Sequence, residues 1–301
     1  MNLNHLAIFH AIAEAGSISR GAERLLISQP AVSKQLKELE RAMGTPLMNR
    51  MPRGVRLNEA GVLLAAYAKR LFAVADEAQR AMDELRGMQR GRLSVGASTT
   101  IGVYLLPEVF VKFRQEYPGV QMHLEIADSQ SIRERLASGA IDVGLAQAPV
   151  EGDEFESSVF MEDELVAIAP FRHPLATRRL VKVQTLCREP FVVREVGSGG
   201  QSLIERALAD RGLNVRPILS LGNTEAIKRA VVAGLGVAIV SRLTIGLELQ
   251  AKRLAVVRLS DLSIRRPLYR VELRGSYRSP AVKAFNYMLD EVVRKGQRRS
   301  A

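Results

Sequence analysis

The chain has 301 residues, a formal net charge of +11, 47% apolar and 25% charged residues; this is a globular composition with material for more than one core, and its basic balance favours a polyanionic partner. The absence of Trp and an aromatic content of 5% argue against a reader that stacks single-stranded bases on aromatic rings. A single cysteine, Cys187, excludes an internal disulfide and suits a small buried hydrophobe.

Residues 1–12 lack the basic start, apolar run and cleavage site of a secretory leader, and no stretch of about 20 apolar residues is available to cross a membrane. A cytoplasmic protein without membrane association is expected. Leu6, Phe9, Ile12 and Ala13 share one face, which predicts a first helix over 4–15, stopped by Gly16. Over 17–42 two short helices flank a tight turn. The first carries Ile18, Ala22 and Leu25, and the second opens at Ser28-Gln29-Pro30 and buries Val32, Leu36 and Leu39. Ser28 suits the N-cap, and Pro30 suits the first turn, where an amide hydrogen has no partner anyway. The exposed start of that second helix then holds Gln29, Ser33 and Lys34. Short polar groups at a helix start, with a cation nearby, are what reading a DNA major groove requires. Gln29 can bond a base edge and Pro30 can touch a thymine methyl. Ser33 can serve a base or a phosphate, and Lys34 a guanine or the backbone. A helical hairpin in an ordinary core is the other reading of this segment.

Residues 46–50 and 55–57 read as extended arms about Pro52-Arg53-Gly54. They form a small wing, with Arg50, Arg53 and Arg56 placed for phosphates and Ser17 expected as a further phosphate contact. Residues 1–58 are therefore expected to be an all-α winged helix-turn-helix domain that binds double-stranded DNA. A long helix follows, to about residue 86. Leu64, Leu71, Ala78 and Leu85 recur every seven residues, as do Tyr67, Val74, Ala81 and Met88. That heptad seam predicts a linker and dimerisation helix over 59–90; a helix buried within one domain is the alternative.

Beyond 91 the pattern alternates. Strands are expected at 93–96, 120–126, 141–146, 165–169, 191–194, 218–221, 237–240 and 268–273. Helices are expected at 101–117, 131–138, 200–211, 223–233 and 280–294. Such alternation predicts an α/β domain over 91–301, built on parallel sheets with helices on both faces. The strands near 165 and 268 read as two chain crossings. They divide the domain into lobe I, 92–163 plus 268–301, and lobe II, 164–267, with a ligand cleft between them. Ser98-Thr99-Thr100, Ser198-Gly199-Gly200 and Asn223-Thr224 each follow a strand and open a helix, where free amides favour anions. Ser129 and Gln147 complete the expected site, whose ligand is a small anion or carboxylate. Helix capping alone would also explain these hydroxyl and amide residues.

Catalysis has little support. His5, His10, His123 and His173 show no metal-ligand or triad spacing, and no phosphate-binding Gly-Lys loop occurs. Neither an enzyme, a metal nor a cofactor is expected. Residues 1–90 hold 13 Lys and Arg against 9 Asp and Glu, a net of +4, so most of the basic excess lies outside the DNA-reading half.

Taken in order, Ala13-Glu14-Ala15-Gly16-Ser17, Gly21-Ala22-Glu23-Arg24-Leu25, the run from Ser28 to Leu36, Leu39-Glu40, Gly44-Thr45-Pro46-Leu47 and Leu57-Asn58-Glu59-Ala60-Gly61 carry a resemblance to the LysR-type transcriptional regulators. Gly139-Ala140-Ile141-Asp142-Val143-Gly144-Leu145 and the run from Val232 to Ile239 extend it over essentially the whole chain. The resemblance implies a homodimer or homotetramer on promoter DNA, an effector domain like periplasmic solute-binding proteins, and a partnership with RNA polymerase. Residues 97–107 and 223–228 resemble the branch that regulates sulfur assimilation and carbon fixation. At Gly200-Gln201 the chain departs from the Thr-Arg often seen there, which counts against a strongly charged ligand such as a phosphorylated sugar; Gln201 remains an expected effector contact. Two other classes stay open: a solute-binding transport component, against which the N-terminal 90 residues count, and an enzyme fused to a DNA reader.

Overall fold

The computed structural model describes residues 1–51, 54–84, 91–195 and 199–300. Its contacts gather into two compact units, residues 1–87 with 137–140, and residues 88–136 with 141–301.

The first unit runs α1 (Leu3–Ala15), α2 (Ile18–Leu25), α3 (Gln29–Met43), the antiparallel hairpin β1 (Met48–Met51) and β2 (Gly54–Leu57), and α4 (Glu59–Glu84). Phe9, Ile12, Val32 and Leu39 are fully buried at its centre, with Leu6, Leu36 and Leu47 around them. Ser28 caps α3 as expected, and the structure adds a cap at α1. Asn2 accepts from the Asn4 amide at 2.8 Å, and Ser28 Oγ from the Ala31 amide at 3.4 Å. The family motif residues serve as joints of the wing. Glu40 accepts from the Leu47 amide at 2.9 Å. Asn58 donates to the Pro46 carbonyl and accepts from the Gly61 amide, both at 2.8 Å. At Gly61 an added Cβ would lie 1.9 Å from the Leu47 oxygen, so only glycine lets α4 start against the wing. Gly54, at φ +100°, turns the hairpin beneath the Gly16 carbonyl.

The heptad seam of α4 is divided by the fold. Leu64 and Leu71 are half-buried and pack, with Phe72, on the unit's own core. Tyr67 and Val74 are 61% and 64% exposed, and Val62, Leu63 and Met82 are exposed too. Ala78 is exposed, while Leu85 and Met88 lie outside the described residues.

The second unit runs β3 (Gly91–Ala97), α5 (Thr99–Tyr104), α6 (Leu106–Glu116), β4 (Val120–Ile126), α7 (Ser129–Ala137), β5 (Val143–Ala146), β6 (Phe155–Pro170), α8 (Val183–Leu186), β7 (Phe191–Arg194), α9 (Gly199–Ala209), β8 (Pro217–Leu221), α10 (Thr224–Val232), β9 (Ala238–Ser241), a 3-10 turn (Arg242–Ile245), α11 (Gly246–Gln250), β10 (Leu254–Val257), β11 (Ile264–Leu273) and α12 (Pro280–Ser300). It is a two-lobed α/β fold. In one lobe β3 lies parallel between β4 and β5, with β11 antiparallel to β5. In the other, β6 pairs antiparallel with β9 and β10, while β7 and β8 run parallel and join β9 through a Phe191–Val237 bridge. The long strands β6 and β11 pair with each other from Phe155–Leu273 to Leu165–Ile264 and tie the lobes together.

The sheets are thus mixed, which corrects the expectation of parallel sheets. Strand β6 is 16 residues long, and only its apolar second half reads as a strand from the sequence. The part before Leu165 carries Glu156, Glu162 and Asp163 and is held by pairing with β11. The helix expected over 101–117 is two helices. Pro107, lacking an amide hydrogen, sits in the first turn of α6 and cannot continue a helix from α5. Alternate residues of β6 serve two cores: Leu165, Ala167 and Ala169 pack with Phe191 and Leu208, while Val166 and Ile168 pack with Ile227 and Val231. A strand buried on both faces reads as a continuous apolar run.

Candidate functional site

Two surfaces hold the residues singled out from the sequence. The first is the start of α3. Ser28, Gln29, Pro30 and Lys34 are exposed, Ser33 is half-buried, and Val32, Leu36 and Leu39 are buried beneath them. Three- and four-residue spacing puts the apolar set inward and leaves the polar set outward. Ser17 is half-buried at the N-cap of α2, and its side chain makes no capping bond. Arg56 is exposed on β2. Arg53 and the Arg50 side chain lie outside the described residues.

The second is a cavity of about 700 Å³ between the lobes. Of the ten expected effector contacts, eight line it: Ser98, Thr99, Thr100, Ser129, Gln147, Gly199, Gln201 and Thr224. Ser198 lies outside the described residues. Asn223 is not among the lining residues; its side chain accepts from the Ala226 amide at 2.8 Å and caps α10. Capping also claims the site at α7, but through Asp128, which accepts from the Ser131 amide at 2.8 Å. The Ser131 hydrogen bonds hold the Asp128 carboxyl below the usual carboxylate range. Ser98 is different. It occupies the N-cap of α5 without making a capping bond, and its Oγ is buried with no hydrogen-bond partner. Gln201 is buried, and its amide is already engaged, accepting from the Arg194 amide at 3.1 Å and donating to Glu205 at 3.0 Å.

The cavity's cations come from residues the sequence reading missed. Arg194, at the end of β7, lines it and leaves its Nε buried without a partner. Arg266, on β11, is buried and also lines it. A Cβ at Gly200 would lie 3.1 Å from Arg266 Nη1, so the residue that replaces the common threonine leaves room for this guanidinium. Arg266 was legible in principle, because it stands on the inward phase of a strand whose Ile264 and Leu268 are buried. The expected strand began only at 268 and so left it out.

Arg266 is also the first member of a polar chain through the hinge. It donates to Gln147 Oε1 at 2.8 Å and to Asp163 Oδ2 from Nε at 2.9 Å and Nη2 at 2.8 Å. Ser241 Oγ donates to the other Asp163 oxygen at 2.7 Å. The Ser241 carbonyl accepts from Thr244 Oγ1, and the Thr244 carbonyl accepts from Lys228 Nζ, both at 2.7 Å. Buried Lys228 pairs with Glu225 at 2.6 Å and Glu248 at 2.8 Å, and sits 4.9 Å from the Tyr104 ring centre. Tyr104, on α5, donates to Glu225 on α10 and so clasps one lobe to the other. Burial, then this bond to Glu225, pushes the Tyr104 hydroxyl up to about 12. For Glu225 burial acts upward, but bonds from Lys228 and Tyr104 outweigh it and hold the carboxyl below its usual range.

At Cys187 burial, and then the Asp261 charge, push the half-buried thiol up, which keeps the reactive thiolate scarce. Among the described residues no cluster of His, Cys, Asp and Glu is placed to hold a metal ion, and no helix is long and apolar enough to cross a membrane.

Comparison with known proteins joins both surfaces to one family. Residues 3–62 match "Bacterial regulatory helix-turn-helix protein, lysR family", and residues 86–294 match "LysR substrate binding domain". The RuBisCO operon transcriptional regulator of Allochromatium vinosum is 36% identical over 98% of this chain and 97% of its own length. The regulatory domain of CcmR from Synechocystis PCC6803, solved with 2-PG, superposes with a TM-score of 0.61 at 30% identity, covering 68% of this chain and 98% of that one. A full-length OxyR variant from Pseudomonas aeruginosa shares the fold, with a TM-score of 0.79 at 20% identity, covering 98% of this chain and 97% of that one.

Proposed function

The chain belongs to the LysR family of transcriptional regulators, and we propose that the ligand of its interlobe cleft is a small anion carrying a carboxylate or a phosphate. As a LysR-type regulator it binds promoter DNA and carries an effector-binding domain; it is not an enzyme. The observation that carries the ligand reading is that two residues lining one cavity, Ser98 and Arg194, each hold a buried polar atom without a partner, Ser98 Oγ and Arg194 Nε. A buried polar atom without a partner costs about 1–3 kcal/mol, which an oxyanion accepting from both would recover. The Arg266 guanidinium adds a third donor group, and the starts of α9 and α10 add free amides. The relative solved with 2-PG supports a ligand of this size and charge. Two cations from β7 and β11 take the place of the absent arginine at 201, so a phosphorylated carboxylate is compatible with Gly200-Gln201.

In this reading residues 1–58 are the DNA-binding domain, 59–90 the linker and 91–301 the effector domain, and the protein works in the cytoplasm. Gln29, Pro30, Ser33 and Lys34 enter the major groove, while Ser17, Arg50, Arg53 and Arg56 meet phosphates. The exposed face of α4, with Tyr67, Val74 and Ala78, pairs two copies into a dimer. The ligand reading is tested by calorimetric titration of the full chain with 2-phosphoglycolate, glycolate and inorganic phosphate. At least one binds, and Thr100→Val, which removes a buried hydroxyl from the cavity wall, weakens it about tenfold. The reading fails if none of the three binds, or if Thr100→Val leaves the affinity unchanged.

A further inference from the structure

The basic excess of the chain is concentrated where the established function does not use it. Residues 171–188 hold Arg172, Arg178, Arg179, Lys182 and Arg188 and no Asp or Glu; residues 251–260 hold Lys252, Arg253 and Arg258 and likewise no Asp or Glu. The fold lays the two segments side by side. The Phe171 amide donates to the Arg253 carbonyl at 3.2 Å, the Val181 amide to the Arg258 carbonyl at 2.9 Å, and the Ser260 amide to the Val181 carbonyl at 2.9 Å. Strand β10 extends this contact by pairing Leu254 with Pro170.

All eight side chains are exposed, and among the described residues none has an ion-pair partner. Two carboxylates border these segments, Glu189 at 3.7 Å from His173 and Asp261 accepting from the Val183 amide at 2.8 Å, and against eight cations they leave a strong positive excess. A solvated face ordinarily intersperses both signs. Eight cations on two adjoining segments repel one another, and a polyanion laid across them relieves that repulsion while releasing its own counterions. Six of the eight are arginines, whose planar fork matches two phosphate oxygens at once.

We propose that this basic face of the second lobe is a further contact surface for duplex DNA, gripping the phosphate backbone without regard to sequence. DNA is the favoured polyanion because this chain already binds a duplex through its N-terminal unit, so further duplex is at high local concentration. The face adds affinity and salt dependence, while sequence preference stays with α3.

The test uses the full chain, an 80-base-pair duplex of random sequence and fluorescence anisotropy across a salt series. The variant is Arg178→Gln/Arg179→Gln/Lys182→Gln. Its control, Arg206→Gln/Arg216→Gln/Lys283→Gln, removes three exposed cations elsewhere on the same unit. Each lost phosphate contact lowers the slope of log K against log salt by about 0.9. The first variant is expected to lose about 2–3 from that slope and at least tenfold in affinity near 0.1 M salt, and the control less than 1. Equal slopes and affinities in variant and control overturn the proposal. So does a variant that binds DNA like the control but no longer supports transcription by purified RNA polymerase, since the face would then meet an acidic protein. Unchanged thermal unfolding of both variants confirms that charge alone was altered.

Discussion

The start of α3 and the interlobe cleft both offer polar side chains to a ligand, but they hold them in opposite ways. On α3, Gln29 and Lys34 project from a helix whose inward face is apolar; the scaffold does not depend on them. In the cleft, Gln147, Gln201 and Arg266 are bonded to neighbours, and one of those bonds anchors a polar chain that runs through the hinge. A groove reader can change its recognition residues without refolding. A cleft wired into its own hinge cannot, because the bonds that hold Gln147 and Arg266 also hold the hinge.

The sharpest break in that comparison is Asp163→Ala. Asp163 is fully buried and bears two bonds from Arg266. Removing it strands a buried guanidinium, for which a loss of about 3–5 kcal/mol is expected, read as a lower urea midpoint. A loss under about 1 kcal/mol would show the cleft to be as independent of its scaffold as α3. Next comes Gln29→Ala. The side chain is exposed, so unfolding is unchanged, while discrimination of operator from random duplex falls by roughly 1–3 kcal/mol. If stability drops and discrimination does not, Gln29 is structural and the base-reading assignment is wrong.

The smallest effect is expected at Tyr104→Phe, which deletes the hydroxyl bonded to Glu225 but keeps the ring over Lys228. Glu225 is half exposed, so the loss should be about 1 kcal/mol, the low end for a bond to a charged group. Its pH dependence has a definite sign. A hydroxyl raised from its ordinary value to about 12 in the folded state stabilises fully below pH about 10 and loses that contribution as pH rises toward 12. The wild-type minus Tyr104→Phe difference should therefore shrink over that window and stay level between about pH 6 and 9. A difference that grows with alkali would remove Tyr104 from the clasp.

The N-terminal unit was legible almost element by element. Its helices are marked by caps at Ser28 and Asn58, by the glycine stop at Gly16, and by apolar residues three and four apart. These devices act within a few residues, so a sequence window contains them. The α4 seam was legible only as a period. Leu64 and Tyr67 both belong to it, yet one covers the core and the other is exposed, because a heptad pattern does not say which stripe meets its own domain. In the cleft, hydroxyl and amide residues at strand-to-helix junctions were found, and eight of ten line one cavity. The choice between capping and ligand was not visible: Asn223 caps and Ser98 does not.

By itself the sequence determined the family, the two-part organisation and the alternation of strands and helices. Local backbone preference and hydrophobic period encode these, and both are properties of neighbouring residues. Tertiary structure alone decided that β6 begins at Phe155, that the sheets are mixed, and that Arg194 and Arg266 meet in one cleft. The reason is distance along the chain. Asp163 meets Arg266 from 103 residues away and Tyr104 meets Glu225 from 121, so their partners exist only once β6 and β11 have paired.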